Sequence, residues 1–126
     1  MANSADKVSL FTTNEKIQLI KKSLGNLKNV KIDSHNGLTV DYAKKVGAQV
    51  LVRGLRAVVD FEYELSMGNV NKKINPDIET VLVFASPEYY FISSRMVKDV
   101  VKNNGPVDSL VPKPVIEPLK KKWSKK

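Results

Sequence analysis

The chain has no cysteine, one histidine and one tryptophan among its 126 residues. Without cysteine there is no disulfide framework, no thiolate metal site and no redox role. The lone histidine, His35, lies between a strand-like segment and Gly37 and reads as a turn residue rather than a catalytic base. No His-x-x-His spacing or carboxylate cluster marks a built-in metal site. No apolar run approaches the ~20 residues of a membrane span. The opening residues Met1-Ala2-Asn3-Ser4-Ala5-Asp6-Lys7 carry no apolar signal-peptide core. The expected setting is therefore cytoplasmic, with no membrane contact. Linkers, repeats and low-complexity stretches are also missing, so residues 1–126 read as a single domain.

What is present fits that picture. Hydrophobic residues make up 42% and charged residues 27%, the balance of an ordinary globular protein with a real core. The formal net charge of +8 invites a nucleic-acid reading. Its distribution argues otherwise: residues 113–126 hold six lysines and one glutamate, which leaves +3 for the rest of the chain. A terminal lysine run with no recognisable nucleic-acid motif reads as a solvated end.

Periodicity and punctuation give the elements. Thr12 and Glu15 stand three apart before Ile17, Leu19 and Ile20, a capping-box start for a helix to Leu24, with Gly25 as its stop. Asn29–Asp33 alternates like a half-buried strand. A short helix spans Thr39–Val46, and a buried strand spans Gln49–Val52. Asp60 to Ile74 reads as a long helix stopped by Asn75-Pro76. Glu79–Phe84 is a third strand. Ser93 or Ser94 caps a helix through Val101, and a last helix runs from Val115 to Trp123, anchored by the tryptophan. Strands alternating with helices predict an α/β fold: a Rossmann-like parallel sheet with flanking helices. Three strands are few for that many helices, and the sheet is expected to be incomplete at its N-terminal side.

Two constellations carry chemistry. Arg53-Gly54-Leu55-Arg56 follows the second strand and sets two guanidiniums around a glycine. Arginine matches phosphate oxygens with a planar fork of donors. The same arginines could instead be surface partners of Asp60, Glu62 or Glu64. The second constellation, Tyr89-Tyr90-Phe91-Ile92-Ser93-Ser94-Arg95, runs from the last strand into a helix N-terminus. Free backbone N–H groups there favour an anion, although Ser93 and Ser94 also suit a plain N-cap. Both constellations follow strand C-termini, where α/β folds bind ligands, and together they suggest a polyphosphate. Phe61, Tyr63, Met67 and Val70 recur at helical spacing and read as core or subunit contact.

From Lys7 to about Leu119 the chain resembles bacterial phosphopantetheine adenylyltransferases, members of the nucleotidyltransferase superfamily. The resemblance rests on Ser9-Leu10-Phe11-Thr12, Val52-Arg53-Gly54-Leu55-Arg56-Ala57, Asp60-Phe61-Glu62-Tyr63-Glu64, Met67–Asn71 and Phe91-Ile92-Ser93-Ser94. It implies transfer of the adenylyl group of ATP to 4′-phosphopantetheine, giving dephospho-coenzyme A and pyrophosphate. It also implies Mg²⁺ held mainly through the ATP phosphates, coenzyme A as a feedback ligand, and a homo-oligomer, hexameric in the family.

Residue by residue, the resemblance gives Lys7, Thr39, Arg53 and Asn71 to the phosphopantetheine substrate. Gly54, Leu55, Arg56 and Glu64 go to ATP, as does the run Tyr89, Tyr90, Phe91, Ile92, Ser93, Ser94 and Arg95. Lys7 and Arg56 are the candidates for stabilising the reacting phosphates. Arg95 stands where many members have a third serine. The family also has a strand-helix-strand with a Thr/His-x-Gly-His motif, whose histidine is its catalytic residue, and no Gly-His pair occurs in this sequence. The chain is therefore expected to lack that unit of roughly 30 residues and to be inactive or weak, whether through a late start, a truncated product or a partial chain. Another nucleotidyltransferase of the superfamily, a non-catalytic oligomerising fragment and a basic nucleic-acid-binding module are the alternatives.

Overall fold

The computed structural model describes residues 9–123, which form five helices and one two-stranded parallel sheet. In chain order these are α1 (Thr13–Leu24), α2 (Thr39–Lys45), β1 (Val50–Leu55), α3 (Val58–Ile74), β2 (Glu79–Phe84), α4 (Ser94–Lys102) and α5 (Lys113–Trp123). They fall into two compact units. His35–Phe91 forms one; residues 9–34 and 92–123 form the other.

The unit His35–Phe91 is built on a β1-α3-β2 crossover, the connection that parallel strands require. The strands pair in register from Val50↔Glu79 to Leu55↔Phe84. Here β1 departs from the expected Gln49–Val52. It runs on to Leu55 because β2 offers six residues of ladder, so Arg53 and Gly54 lie within the sheet rather than after it. The helix α3 packs on both strands. It lies over the side of the sheet bearing Arg53 and Thr80: Glu64 bonds Arg53, and Gly68 meets the Thr80 side chain. A small apolar cluster of Val40 and Ala43 from α2 with Ile78, backed by Ala48 and Leu51, closes the base. On the opposite side Val50, Val52, Val81 and Val83 remain 45–67% exposed. Parallel sheets are ordinarily covered on both faces, so this one is half-clad within the described residues.

The other unit is helical. Val97 and Val101, four apart on α4, form a core with Val107 and with Leu119 of α5. Phe11, Val115 and Trp123 pack around it, and the tryptophan anchors α5 as its position suggested. The expected capping box is present: Glu15 N–H donates to Thr12 Oγ1 at 3.2 Å, and Thr12 N–H donates to Glu15 Oε2 at 2.7 Å. Glu15 also pairs with Lys122 of α5 at 2.7 Å, and Lys122 lies 5.7 Å from the Phe11 ring centroid.

One expected element does not form. Asn29–Asp33 alternates, but no strand lies beside it among the described residues, and it is irregular. Alternation marks a face, whereas a strand needs a neighbour to receive its backbone groups. The described sheet therefore has two strands, not the three expected.

Candidate functional site

The C-terminal half of β1 presents Arg53 from a ladder position toward α3. Its Nε–H and Nη2–H donate to Glu64 Oε2 and Oε1, both at 2.7 Å. This is the two-bonded fork that guanidinium and carboxylate make best. The Glu64 side chain is 11% exposed, while that of Arg53 is 51% exposed. The acid is thus locked inside, and the base has one edge held and the rest open. Arg53 holds the Glu64 carboxyl below the ordinary carboxylate range, with burial opposing. Glu64 in turn raises the Arg53 pKa.

A depressed carboxylate pKa has a definite sign. The stability Glu64 contributes is complete above its unfolded-state pKa and is lost as pH falls through the lower folded-state value. Urea midpoints are expected to fall more between neutrality and pH ~3 for the parent chain than for Glu64→Gln. Equal falls would mean that the pair contributes no stability.

Arg56, directly after β1, is held differently. Its backbone N–H and Nε–H donate to Asp60 Oδ2 at 3.2 and 3.1 Å, and Nη2–H donates to Oδ1 at 3.4 Å. Asp60 sits in the first turn of α3, where the helix dipole favours a negative charge. Its pKa is lowered, chiefly by the Arg56 side chain. The β1–α3 turn Arg56-Ala57 is therefore pinned from the helix it leads into. Ala57, the N-cap of α3, offers no side-chain cap.

Other expected site residues of this unit lie on the same framework. Thr39 opens α2 and is half-buried. Asn71 lies seven residues after Glu64 on α3 and accepts the Asn75 N–H that ends the helix. Tyr89, Tyr90 and Phe91 form an exposed turn after β2, with Tyr90 and Phe91 edge-to-face at 5.8 Å. His35 is stacked on Tyr42, with ring centroids 4.6 Å apart.

Ser93 is the N-cap of α4; its Oγ accepts the Met96 N–H at 3.2 Å. Ser94 and Arg95 open the helix and are exposed. Lys7 lies outside the described residues.

Sequence reasoning did not find the cleft of about 160 Å³ between α3 and β2, lined by Glu64, Gly68, Asn69, Lys72, Glu79 and Thr80 among others. The available signal was Gly68, a glycine inside a helix, which often marks a close approach of another element. The Lys72–Glu79 ion pair belongs to this cleft. Among the described residues no group of three histidine or acidic side chains converges as a metal cage.

Residues 1–100 match a family model described as cytidylyltransferase-like. The chain is 56% identical over 125 residues to the phosphopantetheine adenylyltransferase of Bdellovibrio bacteriovorus, covering 99% of this chain and 78% of that protein. It is 44% identical over 122 residues to the enzyme of that name from Anaeromyxobacter sp. strain K, covering 97% and 74%. To the one from Staphylococcus carnosus it is 43% identical over 122 residues, covering 97% and 76%.

Proposed function

Because this chain belongs to the phosphopantetheine adenylyltransferase family, within the cytidylyltransferase-like group, we propose that it binds ATP and 4′-phosphopantetheine for adenylyl transfer. An oxygen of the 4′-phosphate attacks the α-phosphorus of ATP in line. The bond from that phosphorus to the bridging oxygen breaks, and pyrophosphate leaves as dephospho-coenzyme A forms. Such chemistry asks the protein for positioning and charge neutralisation more than for acid–base work. Mg²⁺ enters as part of the ATP substrate, on the phosphates.

The observation that carries this reading is the pair of arginines around Gly54 at the C-terminal end of β1, each anchored by a carboxylate of α3. A strand C-terminus in a parallel sheet is where α/β folds receive ligands. In this reading Lys7, Thr39, Arg53 and Asn71 take phosphopantetheine. In the unit His35–Phe91, Gly54, Leu55, Arg56, Glu64 and the run Tyr89–Phe91 take ATP, and the resemblance gives Ile92–Arg95 the same ligand. Coenzyme A shares the pantetheine arm and competes for its place. ATP as a substrate favours a cytoplasmic setting.

The 126 residues contain no Gly-His pair, so they are expected to bind both substrates yet release pyrophosphate slowly by themselves. Titration calorimetry with each substrate and a coupled pyrophosphate assay check this. Failure to bind either substrate sinks the reading.

The chain also forms homo-oligomers in this reading. Tyr63, Met67, Val70 and Ile74 follow one another at helical spacing along α3 and are 38–63% exposed, a stripe suited to a second copy. A Met67→Glu, Val70→Glu double variant is expected to sediment as a smaller species than the parent chain. An unchanged sedimentation coefficient would remove α3 from the contact.

A further inference from the structure

In the helical unit α1 packs on α5, and the two helices leave a groove of about 610 Å³ beside their contact. That volume is in the range of small-ligand pockets. Its apolar lining residues, Phe11, Leu19 and Pro118, are half-buried, whereas Asn14, Gln18 and Lys121 are exposed. The groove thus has an apolar floor under a polar rim. Helical spacing builds both walls. Glu15 and Leu19 stand four apart on α1, and Pro118, Lys121 and Lys122 stand three and four apart on α5. The Pro118 ring has no rotamer freedom to lose when a ligand covers it. None of the described residues given to ATP or phosphopantetheine lines this groove.

Three charged side chains line it, and two of them are spent on each other. Lys122 Nζ lies 2.7 Å from Glu15 Oε1 and 5.7 Å from the Phe11 ring centroid, while Glu15 Oε2 accepts the Thr12 N–H. The third, Lys121, is exposed, and among the described residues no carboxylate pairs with it. One uncompensated positive charge therefore stands beside apolar surface. The surroundings have the same sign, since α1 and α5 together carry seven lysines and two glutamates. Such a field draws anions and repels cations. Length then limits what can fit. The lining runs from Asn14 to Leu19 and from Pro118 to Lys122, about 6–8 Å of helix. A docked helix uses anchors from i to i+7, about 10 Å. The groove is too short for that partner and suits a small molecule.

We propose that the α1–α5 groove is a binding site for a small amphiphilic anion, a medium-chain carboxylate in chemical class. Its chain lies on Phe11, Leu19 and Pro118, and its head group meets the Lys121 ammonium, which has three donors to offer. The site is independent of the adenylyl-transfer reading, because it uses none of the residues on which that reading rests.

The test is calorimetric titration of the whole chain with octanoate, with octanol as the uncharged control and acetate as the chainless one. Octanoate is expected to bind one-to-one. Octanol should bind about tenfold more weakly, the worth of one hydrogen bond to a charged group, and acetate should give no measurable heat. Lys121→Ala, an exposed change, is expected to weaken octanoate by the same factor of about ten. Lys113→Ala removes an equal charge from the other end of α5 and should leave binding within about twofold. Thermal unfolding of the parent chain should shift upward with octanoate, as for any ligand of the folded state. No octanoate binding overturns the proposal, and so does a downward shift, which marks detergent-like unfolding. Equal weakening by both lysine variants would reduce the effect to diffuse attraction by a basic surface. Full binding by Lys121→Ala would place the ligand elsewhere, and binding of an acidic leucine-containing peptide without octanoate would make the groove a protein-docking surface; each of these also overturns it.

Discussion

Arg56→Ala is expected to weaken ATP binding roughly ten- to a hundredfold, the worth of a charge-assisted contact to phosphate. The expectation comes from geometry as much as from resemblance. Arg56 stands just past the last strand residue, and Asp60 holds its backbone and its guanidinium at once. An exposed i,i+4 ion pair contributes little to stability. Truncating Arg56 should therefore change little in folding while removing a preorganised cation from the turn. Titration with ATP and Mg²⁺, alongside an unfolding curve, separates the two roles. If ATP binds unchanged, Arg56 is only a surface partner of Asp60, the plainer reading that the sequence left open.

The second large effect concerns the strand beneath that turn. Leu55 is 2% exposed at the last position of β1, opposite Phe84. Leu55→Ala is expected to cost about 2–5 kcal/mol through lost burial and the cavity left behind. Against a total stability of order 5–15 kcal/mol, that is a large share. Val52, three residues earlier on the other side of the sheet, is 67% exposed. Val52→Ala should stay within about 0.5 kcal/mol, as exposed substitutions do. Urea melts of both variants check the contrast. Comparable losses at the two positions would mean that the open side of the sheet is covered in solution.

Much of this was legible from residues alone, and the successes share a cause. The start of α1 is written in Thr12 and Glu15, whose side chains complete a local circuit with the backbone. The end of α3 at Ile74 is written in Asn75-Pro76, and β2 spans Glu79–Phe84 as its composition suggested. Each of these signals acts over a few residues. What was not legible depends on partners distant in the chain. Asn29–Asp33 alternates as a strand would, yet strands are made by neighbours. The three extra residues of β1 come from the ladder that β2 supplies. Likewise Asp60, Glu62 and Glu64 all suit the two arginines as ion-pair partners, and the sequence does not say which acid meets which arginine. The crossover that folds α3 back over β1 decides it, pairing Arg53 with Glu64, eleven residues on.

Gly68 governs how closely that crossover can fold back. A methyl group there would lie 3.5 Å from the Thr80 Cβ, in ordinary van der Waals contact. Alanine fits that spacing, whereas a bulky side chain directed at Thr80 would push the helix away from the strand. Glu64 is one turn before this point on the same rigid rod. A wedge at position 68 would therefore lift the carboxylate off the guanidinium without touching either. The Arg53–Glu64 ion pair thus spans a helix-to-strand distance that a small residue at position 68 leaves undisturbed.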